Sequence, residues 1–210
     1  MKFEKEFKEA IVALPESEKD KLLLRLLKKD KVLANQLHFQ LIDTKTVEEY
    51  RIEISAKAEQ ILTQSNQQSR FRSDYLLFDL KEFSGIVNDH VSKTKDKYSE
   101  PYLNLKMLIC ALSTWKNELL GESYKNSYPT NIYVVARAFK ISTQIKAMHE
   151  DLQYDFKEEL NELGFLIVSF PNLMKVCIYN GLDVNWLINF TIPDDIARIQ
   201  KELRANGFLK

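Results

Sequence analysis

The sequence has little glycine and little proline, five of each in 210 residues. Glycine supplies the positive-φ positions that tight hairpin turns need. A chain this poor in it is a weak candidate for a sheet protein. Cysteine is also scarce. Cys110 and Cys177 sit inside the apolar runs MLICAL and MKVCIY, where a free thiol behaves as a small buried hydrophobe, so both are expected to be reduced core residues. Net charge is missing altogether, with 30 basic residues balancing 30 acidic ones. That excludes global attraction to nucleic acid or to an anionic membrane, and leaves only local electrostatics. No long apolar run is present. The longest uncharged stretch, Leu163 to Met174, is too short to span a bilayer and contains Pro171. The opening MKFEKEFKEA has no apolar segment of the kind a signal peptide carries. A soluble protein of the cytoplasm, not associated with a membrane, is the expectation. Walker, dinucleotide-binding, nucleophile-elbow and C-x-x-C patterns are all absent. The sequence therefore supplies no catalytic residue, no metal ligand and no cofactor.

Helical periodicity is plentiful. Val47, Tyr50, Ile54, Ala58 and Ile61 form one stripe, and Leu152, Phe156, Leu160 and Leu163 form another. Residues 131–148 carry two stripes, one through Ile132, Val135 and Phe139 and one through Val134, Ala138, Ile141, Ile145 and Met148. A helix that is apolar on two sides is a buried one, so this segment is expected at the centre of the C-terminal half. Pro15, Pro101, Pro129, Pro171 and Pro193 each precede a helical pattern, where the missing N–H costs little. The expected fold is all-α, with nine or ten helices in antiparallel pairs as a HEAT-like or irregular orthogonal array. They cover 2–13, 17–29, 31–42, 46–62, 73–94, 101–120, 131–148, 151–163, 171–180 and 193–206. Short strands within 165–192 are the open alternative. Residues 63–70, TQSNQQSR, contain nothing apolar. The expected division is an N-terminal helical subdomain over 1–62, an exposed linker over 63–72 and a C-terminal helical subdomain over 73–210.

Gly164, Gly181 and Gly207 each follow a helical stripe and precede an apolar residue, the pattern of a Schellman ending. E-L-x-x-x-G-F-L occurs at 159–166 and again at 202–209. That spacing falls within the range of HEAT-type repeats, although two copies also fit recurring helix-end chemistry.

Few residues stand out as candidate sites. Lys21, Arg25 and Lys28 fall on one side of helix 17–29 and together could contact phosphates. The same face also reads as a solvated surface balanced by nearby acids. Tyr124 and Tyr128 lie in ESYKNSYPTN, expected to be a loop over 122–131, where exposed tyrosines suit recognition. His38 and His90 fit core or boundary positions. His149, Glu150 and Asp151 match no zinc spacing and fit a helix junction, with the acids at a helix start. LPESEKDKLLLRLLKKD (14–30) and LANQLHFQLI (33–42) resemble the N-terminal part of small all-helical bacterial proteins of uncharacterised activity. The resemblance implies a bacterial cytosolic protein and carries no site residues with it. The expected function is a protein-binding or scaffolding module. The alternatives are an enzyme of unrecognised type or a nucleic-acid-binding protein using the basic face.

Overall fold

A computed structural model describes residues 3–68 and 72–210. Of these, 79% are helical and none is in a strand. The chain runs α1 (Lys5–Ala13), α2 (Glu16–Lys29), α3 (Lys31–Leu41), α4 (Val47–Gln68), α5 (Ser73–Thr94), α6 (Ser99–Thr114), α7 (Lys116–Gly121), α8 (Tyr124–Lys146), α9 (Glu150–Tyr154), α10 (Lys157–Val168), α11 (Pro171–Tyr179), α12 (Asn185–Ile188) and α13 (Ile196–Ala205). Ten of the thirteen have seven or more residues. No single helix among the described residues is long and apolar enough to cross a membrane.

The chain forms two compact units. One takes the residues up to Lys45 together with Ser92–Lys95, and the other takes Thr46–Val91 and Asp96–Lys210. The segment 63–72 does not coincide with this division. Residues 63–68 continue α4, and 69–71 lie outside the described residues. Polar composition does not end a helix, and 63–68 hold neither glycine nor proline to do so.

In the first unit α2 packs on α3. Asp30 separates them, its carboxylate accepting from Leu33 N–H at 3.0 Å to cap α3. Gln36 donates to the Ser92 carbonyl at 2.9 Å, and Lys93 pairs with Asp43 at 2.7 Å. No described residue of this unit is buried.

The second unit holds the whole apolar core. Thr46 and Glu49 open α4 with reciprocal bonds, Glu49 N–H to Thr46 Oγ1 at 3.2 Å and Thr46 N–H to the Glu49 carboxylate at 2.7 Å. Ile54, Ala58 and Leu62 of α4 are then buried at i, i+4 and i+8. α6 packs against α4, α8 and α10, while α8 packs against α6, α11 and α13. Both stripes of α8 are buried, through Val134, Val135, Ala138, Phe139, Ile141 and Ile145. Contacts radiate from α6 and α8 and do not run only between successive helices, as they do in a solenoid.

Two glycines close their helices as expected. Gly181 has φ +74° and Gly207 has φ +89°. Leu182 N–H reaches the Cys177 carbonyl and Phe208 N–H reaches the Leu203 carbonyl, both at 3.0 Å, the six-to-one bond of a Schellman ending. Gly164 corrects the third expectation. It is buried within α10, which continues to Val168, and its φ is not positive. Its missing side chain serves packing, because a β-carbon there would stand 2.6 Å from Ile188 Cγ1 of α12. The two E-L-x-x-x-G-F-L copies are therefore not structurally equivalent. The stripe over 151–163 also differs from expectation. It breaks between α9 and α10, and Leu152 is exposed.

Candidate functional site

An apolar groove lies between α5 and α8, and the start of α8 builds it. Ser123 caps this helix, its hydroxyl accepting from Asn126 N–H at 3.3 Å. Tyr124 and Tyr128 consequently stand on the first turns of α8 and not on a loop, which corrects the reading of 122–131. Their rings lie 5.8 Å apart. Pro129 is inside this helix, not ahead of it. It lacks an N–H, so the Lys125 carbonyl loses its i+4 donor. On the inward side Thr130 donates to the Ser73 carbonyl at 2.7 Å, fastening α8 to the head of α5.

A neighbouring face of α8 carries Tyr128, Ile132 and Ala136 at i, i+4 and i+8, with Ile132 buried and the other two partly exposed. With Pro129, Tyr133, Leu77 and Lys81 of α5, and Leu209 and Lys210, these residues line a groove of about 460 Å³. Tyr133 is fixed at its floor. Its hydroxyl donates to the Leu80 carbonyl at 3.1 Å, accepts from Arg137 at 2.8 Å, and lies 2.6 Å from Ser84 Oγ. Its polar tip is thus satisfied, and the Arg137 guanidinium stands over its ring, 5.1 Å from the centroid. Among the described residues, the charged side chains lining the groove are Lys81 and Lys210. Phe78, one residue on from Leu77, is 66% exposed. An open apolar groove of this kind is suited to receiving a partner's side chains.

A second groove, about 420 Å³, lies among α10, α11 and α12 and is lined by Val168, Met174, Ile178, Leu182, Val184 and Ile188, with Asp183 as its charged group. A third recess, about 600 Å³, is polar and includes Lys146, His149, Gln153, Tyr154 and Asp194. Its polar groups are engaged in holding helix ends together. Gln153 donates to the Met148 carbonyl at 2.8 Å, His149 caps α9 at Asp151 N–H, and Lys146 pairs with Asp194 at 2.7 Å. Such groups orient the backbone and do not converge on a reacting atom. The junction reading of His149, Glu150 and Asp151 holds in this form, with His149 as the capping residue. His90 is buried and shares a hydrogen bond of 3.1 Å with Ser99, whereas His38 is exposed, contrary to expectation. Among the described residues no cluster of three His, Cys, Asp or Glu could hold a metal ion.

Lys21, Arg25 and Lys28 are all exposed on α2. They belong to the first unit, and Tyr124 and Tyr128 belong to the second. Leu77, Lys81, Ile132, Tyr133 and Ala136 went unread as site residues. Starting the helix at Tyr124 would have put Tyr128, Ile132 and Ala136 on one face, but their meeting with α5 is a tertiary event.

No protein family, curated protein or solved structure matches the chain.

Proposed function

We propose that this protein is a helical protein-binding module of the cytoplasm, and that the α5–α8 groove receives a short segment of a partner protein. One observation carries the reading, namely an open apolar groove of about 460 Å³ whose charged lining side chains, among the described residues, are both lysines. The complementary occupant has large apolar anchors for the groove, flanked by Asp or Glu for Lys81 and Lys210. Two free thiols suit a reducing compartment. Selection of random peptides on the full chain tests the proposal. Enriched sequences should pair aromatic or leucine residues with acids. They should bind Ala136→Glu on the order of tenfold more weakly or worse, and Lys81→Glu more weakly than wild type. Enrichment of basic peptides, or equal binding to the folded Ala136→Glu variant, would exclude this groove.

A second reading stands on the exposed Lys21, Arg25 and Lys28 of α2. Three cations on one helix face could track phosphates, which makes nucleic acid the alternative partner.

A further inference from the structure

The first turn of α11 begins without a cap. Phe170 precedes it and carries no side-chain oxygen, and Pro171 has no N–H to offer. The N–H groups of Asn172 and Leu173 come next, and neither donates to a described group. Orphan donors at a helix start call for a side chain, a water or a ligand. Residues 170–173 together line a cavity of about 130 Å³. Asn131 of α8 lines it as well and is only 5% exposed. Its Nδ2 donates to Ser127 Oγ at 3.2 Å, which leaves Oδ1 as an acceptor with no partner among the described residues. A buried side-chain oxygen in a folded protein is normally paired. Leu112, Leu119, Phe170 and Leu173, all buried, form the apolar wall, while Leu120, 46% exposed, carries the lining out to solvent. Asn172 Nδ2 donates to the Glu122 carbonyl at 3.1 Å and fastens this turn beside the end of α7. Among the described residues no ionisable side chain lines the cavity.

We propose that this cavity binds a small primary carboxamide with a short apolar body. The carboxamide oxygen accepts from the Asn172 and Leu173 N–H groups, and its NH₂ donates to Asn131 Oδ1. Other small polar groups match only one side of this arrangement. A carboxylate suits the positive end of a helix but sets a second anionic oxygen against Asn131 Oδ1, which can only accept. An ammonium suits Asn131 and meets the positive end of α11 instead. A hydrocarbon fills the apolar wall and leaves the polar groups unpaired. Size fits the same class. An apolar cavity of about 150 Å³ takes benzene, so a branched body such as that of isobutyramide is accommodated beside the leucines.

The test is a pair of NMR titrations of the full chain at neutral pH, one with isobutyramide and one with isobutyrate, its isostere without the donors. Isobutyramide should give saturable shifts at the backbone amides of Asn172 and Leu173 and at the methyl groups of Leu112 and Leu119. Isobutyrate should bind on the order of tenfold more weakly, the loss expected from one mispaired buried group. Asn131→Leu removes the acceptor and keeps a similar shape. It should weaken isobutyramide by a similar factor without weakening isobutyrate, with helix content by circular dichroism as the check on folding. If that variant fails to fold, the two wild-type titrations still decide. The proposal is overturned by isobutyramide that gives no saturable shift at these residues, or by isobutyrate bound as tightly as the amide. A folded Asn131→Leu protein that binds isobutyramide like wild type overturns it too.

Discussion

Gly164 and Ile188 approach so closely that a β-carbon on the glycine would lie 2.6 Å from Ile188 Cγ1 and 3.1 Å from its backbone nitrogen. Asn161, three residues earlier on α10, donates to the Ile188 carbonyl at 2.8 Å and holds the short α12 against that helix. Gly164→Ala should therefore destabilise the protein by about 1–3 kcal/mol through overpacking. Ile188→Ala should recover part of the loss, giving a coupling in urea unfolding that two independent sites would not show.

Gly85 provides the contrast within α5. Nothing lies within 4 Å of a β-carbon there, and the residue is exposed. Gly85→Ala should stabilise by about 0.5–1 kcal/mol, because alanine loses less backbone entropy in a helix. A destabilised Gly85→Ala protein in the same urea experiment would show a neighbour on this face of α5.

Asn180 ties the two Schellman endings together. Its side-chain oxygen accepts from Leu209 N–H at 2.9 Å and its amide donates to the Val176 carbonyl at 2.9 Å, and the residue is 1% exposed. The ring of Tyr179 meets that of Phe208 at 5.5 Å. Asn180→Ala leaves a buried N–H without a partner and should cost about 1–3 kcal/mol. Unfolding by urea, read beside amide exchange at Leu209, would check it. Unchanged protection of that amide would mean the bond is not formed in solution.

Much of this fold is legible because α-helices write their burial into a local period. Ile54 and Ala58 were readable as a face, as were both sides of α8. What was not legible depends on partners distant in sequence. Gly164 has the same local surroundings as Gly207, and only α12 distinguishes them. Ser123 caps α8 six residues before Pro129, so a proline that reads as a helix start instead sits one turn inside. The Asn-Gly pairs at 180–181 and 206–207, which also occur in hairpins, here end helices. The groove itself was invisible, since period tells which face of α8 is apolar but not that α5 leaves part of it open.

The basic face of α2 makes a clear division between its two readings. Replacing Lys21, Arg25 and Lys28 with Gln should change stability by no more than about 0.5 kcal/mol, since all three are exposed. If the face serves nucleic acid, wild type should bind duplex or single-stranded DNA with an affinity that falls steeply with salt, and the triple variant should lose it. Salt-independent or absent binding would leave the face as solvated surface.

Alkaline pH should unfold the protein in a way traceable to one buried group, Cys177, and one partly buried group, Tyr98. Burial pushes the Cys177 thiol up to about 12, from an ordinary value of 9.0. Burial, with Asp155 adding to it, lifts the Tyr98 phenol to about 12 from 10.0. Both groups hold their proton in the folded chain after the unfolded chain has begun to release it. Between pH 9 and about 12 the unfolded state thus binds fewer protons, and stability falls as pH rises. Below pH 9 both states keep the thiol proton, so the contribution of Cys177 is fully present there. One proton corresponds to at most about 1.4 kcal/mol per pH unit. Urea midpoints should accordingly stay level on the neutral side and decline above pH 9, with a shallower decline in Cys177→Ala. Thiol labelling at neutral pH supplies the independent reading. Cys177 should react only when the chain unfolds, because it is fully buried and protonated, while Cys110, half-buried, reacts sooner. Rapid labelling of Cys177 in the native protein, or a pH profile unchanged by Cys177→Ala, would place the thiol outside the core formed by α8 and α11.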